Sequence, residues 1–376
     1  MTPWLILLLW AIVFSGPLFG TGCRCASARQ AKVSGLVPLK PLVLPERGKA
    51  GVFAILIVTP LVFLLAVRRD VGVDYYSYVE MFELFRSGYA LPWIEPLYAS
   101  LNQLAAPLGS SGVVLVFAVS ATLAALPLFY RIVRSSPLPR LGVLMLFGLS
   151  FPFLMTNAIR SAIAIGIVML VLPAIWRRQL TIWTLGLLLA SGFHYTALLV
   201  WPTYWVLHLA WPRILVLVGI TGALVLSTYR QFAVAFLNWV PQILPSKYTH
   251  YPSMVLERLE IYEFGFGYMI YFVLVGLIFA GWNQAHNEGG KILVFRNSSI
   301  LGLILMIGLY QFWSVNRIGL YFLPALAVFL PWVISRCVVS REKLLWAVGM
   351  SALFIMMFVR GLWVGAHQAV PYQWIF

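Results

Sequence analysis

The sequence predicts an all-α polytopic membrane protein of about twelve transmembrane helices, forming one transmembrane domain over residues 1–376. Apolar residues make up 62% of the chain and charged residues only 10%, and the mean hydropathy is +0.92. Soluble domains hold about 45–50% apolar and about 25% charged residues. A soluble core of this size cannot hide so much hydrocarbon, because surface grows too quickly with chain length. Twelve spans of about 20 residues use about 240 residues, close to the apolar share. The net charge of +15 does not point to nucleic acid, since a DNA-binding patch needs a soluble face. Orientation in a bilayer accounts for it.

Apolar runs between charged or Pro/Gly-rich breaks place the spans, in order, at 3–22, 51–67, 112–130, 141–156, 158–176, 180–193, 195–210, 214–228, 264–282, 298–313, 318–335 and 344–363. The pair 180–193 and 195–210 is short and can be redrawn. The first run lacks a basic leader, and Gly20-Thr21-Gly22-Cys23 has its apolar residue one place too early for a lipoprotein cleavage box, so it reads as an uncleaved helix. With loop 23–50 in the cytoplasm, the alternation puts 17 of the 26 basic residues inside against three of the 11 acids, a net +14. Nine basic residues and eight acids remain outside, a net +1. Both termini come out extracytoplasmic. Cys23, Cys25 and Cys337 fall on the inner side, where thiols stay reduced; Cys-x-Cys without further Cys or His partners is a weak metal signal, and ordinary small residues are the better reading.

Topology explains the inner charges but not the outer ones. The latter gather in loops 68–111 and 229–263, which have room for short amphipathic helices on the membrane surface. The stretch from Glu95 to Leu104 has helical apolar spacing but is too short and polar to span. No P-loop is present, because Gly48-Lys49 and Gly290-Lys291 lack the upstream glycine and the following hydroxyl. The five histidines do not pair at metal-ligand spacing, and no Asp-x-Asp occurs. The expected chemistry uses no metal, no nucleotide and no cofactor.

Polar residues at the outer helix ends carry the rest. In Met155-Thr-Asn157-Ala-Ile-Arg160-Ser-Ala, an arginine sits one turn inside an apolar helix and needs an anionic partner or a water-filled cavity. Snorkelling to the interface is the bland explanation. The small residues after it favour close packing in the bundle interior. Asn316-Arg317-Ile-Gly-Leu-Tyr321 repeats the pattern, with Arg317 and Tyr321 on one face. Two guanidinium forks from different helices suit a diphosphate, while salt bridges to outer acids are the structural alternative. His194 lies at the outer turn between two spans, where a neutral imidazole can accept a hydroxyl proton. The segment Arg69-Asp70-Val-Gly72-Val-Asp74-Tyr75-Tyr-Ser-Tyr78, followed by Trp93-Ile-Glu95-Pro96, mixes carboxylates with aromatic faces, as carbohydrate sites do.

In order and spacing, these segments resemble the EpsG-type branch of the Wzy-like exopolysaccharide polymerases. The matching residues are Arg69, Gly72, Asp74, Tyr75 and Tyr78, then Glu95-Pro96, Asn157-x-x-Arg160, Phe193-His194, Arg317-x-x-x-Tyr321 and Val370-Pro371-Tyr372. Ser161 and Tyr195-Thr196 depart from the family's usual Gln and Ser. The resemblance implies a bacterial inner-membrane enzyme with the fold of membrane-embedded lipid-linked-sugar glycosyltransferases. Such an enzyme joins polyprenyl-diphosphate-linked repeat units at the outer face, with a flippase and a chain-length regulator as candidate partners. In that setting Arg69, Arg160 and Arg317 bind the diphosphate, Tyr75, Tyr78, Asn157 and Tyr321 bind glycan, and Asp74, Glu95 or His194 deprotonates the acceptor. The rival readings are a lipid-linked oligosaccharide flippase and a membrane acyltransferase. A transporter usually places its ionisable groups near the midplane with repeat symmetry between halves, and this chain does neither.

Overall fold

The computed structural model describes residues 1–15, 47–229, 266–310, 315–338 and 342–375, with the single residues 235, 239 and 312. The expected loop 229–263 lies almost wholly outside the described residues, as do Cys23, Cys25 and the end of the first expected span.

The apolar runs become helices in nearly the expected places: α1 (Thr2–Phe14), α2 (Arg47–Ala66), α5 (Gly112–Ser135), α6 (Pro139–Gly148), α7 (Phe151–Asn157), α8 (Ile159–Val171), α9 (Pro173–Trp176), α10 (Leu180–Ser191) and α12 (Arg213–Thr228). After the undescribed segment come α13 (Phe266–Ala280), α14 (Trp282–Glu288), α15 (Gly290–Gly308), α16 (Leu326–Cys337) and α17 (Lys343–Trp363). Loop 68–111 contains two short amphipathic helices, α3 (Tyr75–Arg86) and α4 (Pro96–Ala105). Among the described residues, six stretches are long and apolar enough to cross a bilayer. The number is eight if the pairs α6/α7 and α13/α14, bent by 46° and 55°, each count as one span. The expected count of twelve does not emerge by this measure, since α1, α10 and α12 are apolar but shorter. The architecture is that of a helical polytopic membrane protein.

One expected span takes another form. Residues 195–210 make a 3-10 turn, Tyr195–Val200, and the single helical turn α11 (Thr203–Val206). Pro202 removes a backbone donor from this stretch, and side chains add to the hydrogen bonds that its turns make within the backbone. The fully buried Asn297 donates to the carbonyls of Leu207 (2.9 Å) and Leu209 (2.7 Å). Its own Oδ1 accepts from the Arg296 guanidinium, which stacks 4.1 Å above the Trp282 ring. Irregular backbone at membrane depth survives where protein buries it.

Helix α5 is the central post, packed against α2, α4, α6 and α8. The small-residue run after Arg160 lies in the interior as expected. Residues 161–169 are buried, and a Cβ at Gly166 would lie 2.5 Å from the Ala124 carbonyl oxygen. The outer faces of α10, α12 and α17 expose Leu185, Leu188, Ile214, Val218, Leu345 and Val348, the aliphatic surface a bilayer covers.

The chain ends close one end of the bundle. A two-stranded antiparallel ribbon pairs β1 (Arg68–Arg69) with β2 (Gln373–Trp374). Trp4 Nε1 donates to the Ala369 carbonyl at 3.0 Å. The start of α1, the end of α2 and the C-terminal segment therefore meet at one end, the same end for both termini.

Candidate functional site

At this end two polar arrangements lie side by side. The first is built on Glu95, which precedes Pro96 at the start of α4. Proline suits that first helical position because its missing N–H has no helical partner to lose. The backbone N–H of Leu97 bonds the Gly192 carbonyl at 2.9 Å, which ties α4 to the turn after α10 and brings His194 to Glu95. The Glu95 carboxylate, only 4% exposed, accepts from Arg160, approaches His194 Nδ1 at 3.1 Å and receives the Tyr195 N–H at 3.4 Å. Burial opposes its ionisation, but the His194 contact and the Arg160 charge prevail and hold the carboxyl below the ordinary glutamate range. Arg160 thus has the anionic partner that its place in an apolar helix demanded. It also lies within electrostatic reach of Tyr78, whose hydroxyl accepts the Ile159 N–H at 3.1 Å and satisfies one of the free donors that open α8.

The second arrangement is a cavity of about 750 Å³ beside the first. Its polar lining includes Asp74, Asn157, Asn316, Arg317, Arg360 and His367, set among Leu, Phe and Met side chains. Asp74 stands just before α3, Asn157 ends α7, Arg317 opens the stretch into α16, and Arg360 lies in the last turn of α17. His367 feels the charges of both Arg317 and Asp74.

A strained turn and a glycine turn hold the cavity's wall. His367 and Gln368 sit at φ 61° and 52°, in the left-handed region, a cost that persists only where surroundings over-determine it. Here Asn157 Nδ2 donates to the His367 carbonyl at 3.2 Å, and the Gly72 N–H donates to the Gln368 carbonyl at 3.0 Å. Gly72 has φ +103°, and a Cβ there would lie 2.8 Å from Asn157 Oδ1 and 2.9 Å from the Thr156 carbonyl oxygen. Nothing larger than glycine fits.

Of the ten candidate residues, Asp74, Asn157 and Arg317 line the cavity, whereas Glu95, Arg160 and His194 form the ion-paired cluster. Tyr75 and Tyr78 are buried in aromatic packing, and Tyr321 is buried with its hydroxyl 3.0 Å from Thr196 Oγ1. Arg69 is an exposed residue of β1 that pairs with Gln373 and is not part of the cavity lining. Its neighbour Arg68 is the buried one, 4.3 Å above the Phe117 ring with Nη2 on the Thr156 carbonyl at 3.1 Å.

Sequence reasoning missed Arg360 and His367. The signal for Arg360 was present, since it is an arginine at a helix end that the expected topology puts outside, where orientation does not explain it. His367 carried no local signal. Among the described residues no group of three His, Cys, Asp or Glu side chains is placed to hold a metal ion. In comparison with known proteins, the model of the EpsG family matches residues 51–374. No curated protein and no solved structure matches the chain.

Proposed function

Because the chain belongs to the EpsG family, we propose that it is a polysaccharide polymerase acting on polyprenyl-diphosphate-linked repeat units at the extracytoplasmic face of a bacterial cytoplasmic membrane. The observation that carries this reading is the cavity itself, in which Arg317 and Arg360 share one concavity with the carboxylate of Asp74. Cations suited to a departing diphosphate and a base suited to an acceptor hydroxyl are what glycosyl transfer from a lipid diphosphate requires.

In the proposed step the acceptor hydroxyl oxygen bonds to the anomeric carbon of the donor chain. The bond from that carbon to the diphosphate oxygen breaks, and its electron pair leaves with the lipid diphosphate. The guanidinium groups of Arg317 and Arg360 neutralise that charge bidentately, and the hydroxyl proton passes to a carboxylate or imidazole. Among the described residues Asp74 is the carboxylate of the cavity lining, which it shares with the imidazole of His367. A second assignment, His194, rests on its contact with Glu95, since a carboxylate on Nδ1 orients the ring and frees Nε2 to take a proton. Glu95 itself is buried and ion-paired, which suits it to orienting His194 and Arg160. The scheme uses no metal and no nucleotide; cleavage of the glycosyl–diphosphate bond supplies the energy.

The test is reconstitution of the full-length protein in proteoliposomes with lipid-linked repeat units as both donor and acceptor. The expected result is a ladder of polymer and released lipid diphosphate. Movement of the units between leaflets without any polymer would overturn the reading in favour of a flippase.

A further inference from the structure

A second cavity, of about 390 Å³, lies at the opposite end of the bundle. Among the described residues it is lined by Arg47, Arg131, Arg134, Arg177 and Lys291 with Tyr130, Ser135 and Trp176, and by no carboxylate. Its place follows from the helices that supply it. Arg47 opens α2, whose other end leads into Arg68, and Arg131 and Arg134 lie in the final turns of α5. Arg177 follows the α8/α9 stretch that begins beside Arg160, and Lys291 opens α15, the helix that runs toward Arg317. A helix of about 20 residues spans about 30 Å, so the two cavities are a bilayer's thickness apart.

The positive-inside tendency requires basic residues at this end but not their convergence. Five cations around one concavity repel one another unless an anion is shared among them. Part of the cluster has a structural task. Arg131 donates to the Met169 and Leu170 carbonyls at 3.2 and 2.6 Å, and Lys291 donates to the Ser135 carbonyl at 3.3 Å. Cations at helix C-termini are favourable there. These bonds fix Arg131 and Lys291 in the wall, leaving Arg47, Arg134 and Arg177 to complete the ring of charge. Trp176 and Tyr130 complete the lining, and such aromatics favour the level of lipid headgroups.

We propose that this cavity binds a phosphate-bearing anion. Guanidinium forks in a pocket between helices with no carboxylate among its described lining residues match phosphate oxygens, and such basic pockets take phospholipid headgroups. The site is independent of the outer cavity and of the reaction assigned to it.

Purified full-length protein is titrated with inorganic phosphate, and separately with phosphatidylglycerol or phosphatidylcholine in detergent micelles, with retained ligand read by native mass spectrometry. Phosphatidylglycerol retained in preference to phosphatidylcholine identifies a lipid headgroup; retention of inorganic phosphate identifies a soluble anion. Either result supports the site if the double variant Arg134→Gln/Arg177→Gln weakens that binding roughly 30-fold, the loss expected from two near-surface cations. The double variant Arg178→Gln/Arg213→Gln removes the same charge outside the cavity lining and should bind as the wild type does. Thermal unfolding of each sample verifies that it is folded. Equal loss in both double variants, or retention of neither probe by the wild type, would overturn the proposal. If the first variant does not fold, Arg134→Lys/Arg177→Lys replaces it, with the same fall expected for phosphate through loss of the planar fork.

Discussion

The side-chain amide of Asn157 donates to the backbone carbonyl of His367, 3.2 Å away and 210 residues along the chain. The bond joins the α7/α8 turn to the strained C-terminal turn, and both line the cavity that holds Asp74 and Arg317. Gly72 closes the same junction from the other side through Gln368. The cavity is therefore made where three distant segments meet, and its integrity can be tested apart from its chemistry.

Gly72→Ala should destabilise the protein by about 1–3 kcal/mol, since alanine at a positive φ is strained and its Cβ has no room. Asn157→Ala should cost about 1 kcal/mol through the lost hydrogen bond. Both should also loosen the C-terminal segment, seen as faster protease clipping near residue 368. Unchanged clipping in both variants would show that this junction does not hold the tail.

Arg317→Lys and Arg360→Lys should each lower polymerisation at least tenfold while leaving folding and insertion intact. Lysine keeps the charge but has no planar fork, so a loose electrostatic role survives the change and a bidentate grip on diphosphate does not. The measurement is polymer formed per unit of inserted protein. Near-normal rates from both variants would return these arginines to a purely structural role.

Asp74→Asn and His194→Ala separate the two candidate bases. The variant lacking the true base should lose about 10²- to 10⁴-fold in rate, and the other should lose far less. Cells carrying the inactive variant should accumulate single lipid-linked repeat units on the outer leaflet, as leaflet-specific labelling will report. Accumulation on the cytoplasmic leaflet would mark a transport defect.

The Glu95 carboxyl, with an ordinary value of 4.5, is held lower in the folded protein. The sign follows from linkage: the unfolded chain binds the proton first, so the contribution of Glu95 is complete above about pH 4.5 and is lost as pH falls through the depressed folded value. Thermal unfolding of the wild type in detergent should therefore weaken on acidification below that point. Glu95→Gln should start from a lower midpoint and show a flatter acid limb. Parallel acid limbs in the two proteins would show that Glu95 does not couple folding to protonation.

A cysteine placed at the exposed Ser110 should react with an impermeant reagent on intact cells, and one at the exposed Gln179 only after permeabilisation. The two positions lie at opposite ends of the bundle, on the side of α4 and on the side of Arg177 respectively. The reverse labelling would invert the orientation and move the outer cavity to the cytoplasm.

The sequence by itself determined where most helices lie and which charges share an end of the bundle. Hydrocarbon content is a local property, and a run such as 158–176 or 344–363 has few alternatives to a helix in a bilayer. It also determined that Arg160 needs an anionic partner or water, since an isolated guanidinium among apolar residues is costly whatever the fold. Tertiary structure alone decided that the anion is Glu95, that His194 joins them, and that Tyr78 and Tyr321 are buried as packing residues. It decided as well that Arg360 and His367 share a cavity with Asp74, and that residues 195–210 fold as turns held by Asn297. These outcomes depend on which helix ends meet, on the backbone strain at His367 and Gln368, and on the positive φ and close approach that only glycine allows at position 72. Contacts between residues hundreds of positions apart are set by how helices cross and where their breaks fall, and no local pattern of hydropathy encodes that.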